Sequence, residues 1–240
     1  MIVKHAFYPL FNDFTNCGDI KLQKVLEFFE DSGGVHSNLV GNSISTMLQN
    51  GKTWILSDWK VKIFKKIQSK AEKCEVSTWI LPQKSPFYSI REYELRFDDE
   101  VCIVATSRWV LFDILNLKIA KIDKELIGIY EAEEFTNFQN DSFKKIEIPQ
   151  SFDTTKQIYI RKSDIDINDH VHNTIYLDFA YEVLPDEIFK NLNFSQIQIS
   201  YKNDIKYSEN IIAKYANLQN RHIVAIFDDK ENLKSTIEFV

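Results

Sequence analysis

Two stretches of the chain share one hydrophobic spacing. Leu22, Val25, Leu26 and Phe29 fall at i, i+3, i+4 and i+7, which predicts a helix from about Asp19 to Asp31. Asp19 is placed to cap its start, and Ser32-Gly33-Gly34 is expected to end it. Tyr176, Phe179, Ala180 and Val183 repeat the spacing and predict a second helix over about Asn173 to Leu184, stopped by Pro185. Elsewhere the period is two. Trp59, Val61 and Ile63 alternate with lysines, and Tyr93, Leu95 and Phe97 alternate with Glu92, Glu94 and Arg96. Val101 to Ile114 is dense in β-branched and aromatic residues and reads as a long buried strand. Tyr159 is expected to open a short strand before the second helix. Strands are expected after it at Ile197 to Tyr201, Ile211 to Tyr215, His222 to Phe227 and Thr236 to Val240.

Between about Ile129 and Thr155 the periodicity fades into polar and acidic sequence, which reads as a connection. The expected organisation is therefore a first unit over residues 1–128, a linker over 129–153 and a second unit over 154–240. One helix followed by antiparallel strands, occurring twice, is an α+β pattern. An antiparallel sheet wrapped around one central helix is a hot-dog unit, so the expected fold is a double hot dog. On this reading the first unit builds a pocket and the second carries the chemistry.

Composition removes several function classes. With 18 Phe, 10 Tyr and 4 Trp in 240 residues the chain has ample core material and is not disordered. Three cysteines, Cys17, Cys74 and Cys102, are odd in number and widely spaced, so a reducing cytoplasm is expected and a disulfide scaffold is not. Each is expected to be a small buried hydrophobe. No apolar run is long enough to span a bilayer, and Met1 to Phe14 lacks the layout of a signal peptide. A net charge of −6 argues against nucleic acid as a partner.

The densest polar stretch, Ser163 to Asn173, lies immediately before the second helix. Asp166, Asn168, His170 and His172 are two apart, so an extended backbone would place all four on one face. A carboxylate, a carboxamide and two imidazoles at a helix N-terminus suit acyl transfer or hydration, with amides available to an oxyanion. A capping loop of turn-forming Asp and Asn residues is the alternative. A metal reading of the two histidines lacks a third ligand of clear spacing, so no metal or cofactor is expected.

Ser163-Asp164-Ile165-Asp166-Ile167-Asn168-Asp169-His170-Val171-His172-Asn173-Thr174-Ile175-Tyr176-Leu177 resembles the S-D-x-D-x-N-x-H-V-N-N-x-x-Y-[IL] signature of the acyl-acyl-carrier-protein (acyl-ACP) thioesterases, the plant fatty-acid-releasing enzymes and their bacterial relatives. The resemblance extends to the first half, through Trp54 to Trp59, Thr78-Trp79, Arg91-Glu92-Tyr93 and Ala105 to Val110. It implies a double hot dog that hydrolyses the thioester between a fatty acyl chain and the phosphopantetheine arm of acyl carrier protein.

It also implies catalytic roles for Asp166, Asn168 and His170, and substrate contacts for His172, Asn173 and Tyr176. The family's Y-[RK]-x-E-C segment falls on Tyr201-Lys202-Asn203-Asp204-Ile205. Its Glu is here Asp204, one methylene shorter, and its Cys is Ile205, so no cysteine nucleophile operates at that place. Hydrolysis would then use water, with Asp204 as a fourth catalytic group. Strict alternation sends Ile205 inward and Asp204 outward. A bulge or strand end near Lys202-Asn203 must therefore re-aim Asp204 into a cleft beside His170, one water making up the missing methylene. Lys60, Lys62, Lys65, Lys66 and Lys70 form a basic cluster suited to docking an acidic carrier protein, or simply a solvated strand face. An acyl-coenzyme A thioesterase, a hot-dog dehydratase of 3-hydroxyacyl thioesters and a non-catalytic acyl-binding protein are the alternatives. Monomer and homodimer are both compatible with two units in one chain.

Overall fold

The computed structural model describes residues 1–69, 71–138 and 143–240. Lys70 of the basic cluster and residues 139–142 of the expected connection lie outside the described residues. The chain divides into two compact units, Met1–Asp141 and Ser142–Val240. Residues 129–138 of the expected linker thus belong to the first unit, where Phe135 accepts the Trp79 indole N–H at 2.8 Å and Asn137 donates to Glu92 at 2.9 Å.

In the first unit, strand β1 (Val3–Phe7) leads into helix α1 (Leu22–Leu39) and the short α2 (Ile44–Gln49). Strands β2 (Lys52–Ile63), β3 (Cys74–Ile80), β4 (Ser89–Phe97), β5 (Glu100–Asp113) and β6 (Lys118–Ile119) follow, then α3 (Lys124–Gly128). All pairings in the sheet are antiparallel, in the order β1-β3-β4-β5-β2, with β6 on β5. Val25, Leu26 and Phe29 of α1 are buried, with the Phe29 ring 5.0 Å from Tyr93 and 6.1 Å from Trp59.

Helix α1 does not stop at Ser32-Gly33-Gly34. It runs through them to Leu39 because tertiary packing overrides their weak helix propensity. A Cβ on Gly33 would lie in ordinary van der Waals contact, 3.4 Å from Cδ of Arg91 and 3.5 Å from the Tyr93 hydroxyl. Beyond it, buried His36 meets the Arg91 guanidinium at 3.1 Å, and burial with that adjacent cation pushes the imidazole down to about 3.

The second unit begins with β7 (Thr154–Ile158), which ends before Tyr159, so that exposed residue follows the strand instead of opening it. Helix α4 (Ile175–Val183) and short α5 (Asp186–Asn191) come next, separated by Pro185. Strands β8 (Gln196–Tyr201), β9 (Ile211–Leu218), β10 (Arg221–Asp228) and β11 (Leu233–Phe239) complete an antiparallel sheet in the order β8-β11-β10-β9-β7. Tyr176, Leu177, Phe179, Ala180 and Val183 form the buried stripe of α4, which packs on β7, β9, β10 and β11.

Read from the edge, the two sheets are the same: β1-β3-β4-β5-β2 against β7-β9-β10-β11-β8. The identity extends to the loop before each central helix. Both loops start with a 3-10 turn whose aspartate takes the backbone N–H three residues back, Leu10 to Asp13 at 2.7 Å and Arg161 to Asp164 at 2.8 Å. Thr15 N–H donates to Asp19 at 2.7 Å, as Asp166 N–H donates to His170 at 2.8 Å. Gly18 and Asp169 both take positive φ, at 83° and 60°. Ile20 N–H reaches the Ile67 carbonyl, and Val171 N–H the Ile205 carbonyl, each at 2.8 Å. The duplication thus includes the loop in which the polar motif lies. No helix among the described residues is long and apolar enough to cross a membrane.

Candidate active site

The polar stretch is not extended, and its side chains do not share a face in the expected way. Asp166 opens a tight turn in which its Oδ1 accepts from the N–H of Asn168 at 2.8 Å and of His170 at 3.3 Å. Its Oδ2 accepts from the Asn168 carboxamide at 3.3 Å. The turn closes through the Asp169 N–H on the Asp166 carbonyl at 3.2 Å, with Asp169 left-handed. Local hydrogen bonding wins over the extended state because Asp and Asn reach their own backbone two residues on. Asp166 and Asn168 are thereby locked together.

His170 leaves the turn and meets Asp204, with Nε2 and Oδ2 2.7 Å apart. The carboxylate reaches the ring directly, so no bridging water is needed. The strand end expected near Lys202-Asn203 is present, but it leaves Asp204 exposed. Strand β8 ends at Tyr201, and the following segment runs beside the loop, pairing Lys206 with His170. Lys202, Asn203 and Asp204 are all exposed, Ile205 is fully buried, and His170 meets Asp204 there. The pair is half exposed, with side chains 35% and 54% accessible, and is not buried as expected.

His172 is engaged at the start of the helix. Its Nδ1 lies 3.0 Å from the Thr174 hydroxyl and accepts the Thr174 N–H at 3.4 Å, so the ring caps the entry to α4. The Ile175 N–H is also committed, to the His172 carbonyl at 3.0 Å, and the Leu177 N–H to the Thr174 carbonyl at 3.2 Å. These amides serve the turn rather than an oxyanion. Asn173 offers its carbonyl to the Tyr201 hydroxyl at 2.9 Å. Tyr176 is buried edge-on against Tyr201 at 5.1 Å, and burial, with the Asp204 charge nearby, pushes its phenol above the usual range.

Sequence reasoning missed the supports. Asp164 is fully buried and takes Arg161 at 2.8 Å through both its backbone N–H and its guanidinium Nε, fixing the start of the loop. Its sequence signals are its place in the family signature and the basic residue three positions before it, and neither says that it is a buried support. Lys234 and Glu209, described below, carried none.

Of the expected lysine cluster, Lys62, Lys65 and Lys66 are exposed and Lys60 is not. Lys60 is buried with its ammonium 5.3 Å from the Phe138 ring, which removes it from a docking surface. Lys62 lies over Phe64, Lys65 is paired with Glu100, and Lys66 is paired with Asp19 at 2.8 Å. Cys17 is exposed, contrary to expectation, while Cys74 and Cys102 are buried. Burial pushes the Cys74 thiol up to about 11 and raises that of Cys102. Alkylation at pH 8 should therefore modify Cys17 alone and leave thioester hydrolysis unchanged. Loss of activity in step with labelling, read by mass spectrometry, would contradict this.

Two family models match the chain: the acyl-ACP thioesterase N-terminal domain over residues 3–130 and the C-terminal domain over 148–239. The oleoyl-acyl carrier protein thioesterase of Coriandrum sativum is 21% identical over 205 residues, covering 78% of this chain and 55% of its own length. The dodecanoyl-[acyl-carrier-protein] hydrolase of Cinnamomum camphora is 24% identical, covering 69% of this chain and 46% of its own length. The chain spans about half the length of such curated relatives. Among solved structures, the 12:0-ACP thioesterase from Umbellularia californica superposes with a TM-score of 0.88 at 17% identity, covering 99% of this chain and 96% of that one. An acyl-ACP thioesterase from Bacteroides thetaiotaomicron gives 0.88 at 18% identity, covering 100% and 97%. These likenesses show the double hot-dog fold. With both domain models matched in order over most of its length, the chain belongs to the acyl-ACP thioesterase family.

Proposed function

We propose that the chain hydrolyses the thioester of a fatty acyl chain carried by acyl carrier protein, releasing the free fatty acid. The observation that carries this reading is the 2.7 Å contact between His170 Nε2 and Asp204 Oδ2, beside the Asp166–Asn168 turn. A carboxylate on Nε2 favours the tautomer with its proton there, which leaves Nδ1 as the base. Water attacks the thioester carbon as Nδ1 takes its proton, and the carbonyl oxygen becomes an oxyanion. Asn168 gives one amide hydrogen to Asp166 and has a second for that oxygen. Collapse of the intermediate breaks the C–S bond, and His170 returns the proton to the departing thiolate. Ile205 leaves no thiol in this place, so water is the nucleophile. The three free cysteines fit a reducing, cytoplasmic setting.

The test is release of fatty acid from acyl-ACP and from acyl-coenzyme A bearing the same chain, alongside 3-hydroxyacyl thioesters. The expected result is hydrolysis of acyl-ACP with the higher kcat/KM. Dehydration of the 3-hydroxyacyl substrates without hydrolysis, or binding without turnover, would overturn the reading.

A further inference from the structure

The segment that carries Asp204 has little regular structure of its own. β8 ends at Tyr201, and from there to Ile211 the backbone crosses the end of the sheet. Beside the Val171 bond to the Ile205 carbonyl, a buried cation helps to hold it. The Lys234 side chain, at the start of β11, is 9% exposed, and its ammonium donates to the Asp204 carbonyl at 3.0 Å. The same ammonium is paired with Glu209 and lies 3.8 Å from the Asp228 carboxylate. Glu209 in turn accepts the Lys206 N–H at 3.0 Å, and Lys206 is the residue bridged to His170. The Lys234 carbonyl takes the N–H groups of Lys202 at 2.8 Å and Asn203 at 3.2 Å. One residue therefore fixes the segment before, at and, through Glu209, after Asp204.

A buried ammonium is costly to desolvate, and a single carboxylate would neutralise it. Spending one of its three donors on the carbonyl of the residue that faces His170 ties the position of Asp204 to the rigid strand β11. The cluster reaches the reacting pair at two backbone points, the Asp204 carbonyl through Lys234 and, through Glu209, the Lys206 bridge to His170. We propose that Lys234, seated by Glu209, is a positioning residue that holds Asp204 in register with His170. The inference rests on the reading of His170 and Asp204 as the reacting pair.

The test compares Lys234→Met, Lys234→Arg and Glu209→Gln, each alone and combined with Asp204→Asn, by kcat, KM and thermal melting. Lys234→Met alone is expected to lower kcat by about tenfold to a hundredfold, the scale of an ångström-sized misplacement, with KM within about twofold of wild type. In the Asp204→Asn background it should cost nothing further, because residues acting through one another are not additive. Lys234→Arg, which keeps a donor for the carbonyl, should recover most of the rate. Where Lys234→Met fails to fold, Glu209→Gln carries the same comparison. An equal loss in both backgrounds, or no loss in either, overturns the proposal. If Asp204→Asn alone keeps the full rate, the reading of the pair falls first, and the two failures are told apart.

Discussion

Replacing His170 by alanine is expected to lower the rate of thioester hydrolysis by at least about a hundredfold, the typical size of a lost general base. The fold should survive. His170 is half exposed, and the loop bonds at this position run through its backbone, from its N–H to Asp166 Oδ1 and from its carbonyl to the Asp166 N–H. Those bonds remain in the variant. Steady-state kinetics on acyl-ACP, with far-ultraviolet circular dichroism and melting as controls, decide the matter. An undiminished rate would return the loop to a capping role and remove His170 from the chemistry.

Asp204→Asn should bring a loss of similar size, again about a hundredfold or more, while keeping the shape of the side chain. The amide cannot carry the charge that stabilises a protonated His170, and it can offer an N–H where the ring needs an acceptor. The Asp204 carbonyl bond to Lys234 is untouched, so the segment stays in place. Asp204→Glu tests geometry instead of charge. At 2.7 Å the present carboxylate already reaches Nε2, and one more methylene must fold back or displace the ring. A partial fall in kcat is expected even though the resemblance places a glutamate here. A full rate in Asp204→Asn would leave Asp166 or His170 to act without this partner.

How far this site was legible in sequence depends on the range of the interaction. The stripe of α4 and its stop at Pro185 are local, and so was the concentration of Asp, Asn and His before it. The face those residues share was misread because an extended backbone was assumed, whereas Asp166 folds the chain onto its own amides. Helix α1 outran its glycines because it packs on residues distant in sequence; around Gly33 these include Arg91 and Tyr93, some sixty residues away. Lys60 resembled a solvated lysine until Phe138, far along the chain, covered it. The meeting of Asp204 with His170 was carried by the resemblance. Alternation correctly placed Ile205 inside and Asp204 outside, but gave no hint that the histidine would come to the surface. Lys234 was silent because a lone lysine at a strand start reads as solvated.

Where the second unit sets His170 against Asp204, the first sets Asp19 against Lys66, at 2.8 Å and on the same backbone lattice. A partly exposed pair of this kind contributes only about 0–1 kcal/mol, so the lattice does not depend on which two side chains it displays. The loop behaves as a socket, and reactivity as the plug. One socket holds an imidazole against a carboxylate, and the other holds a carboxylate against an ammonium. The same scaffold thus presents a different pair of side chains in each half without being altered itself.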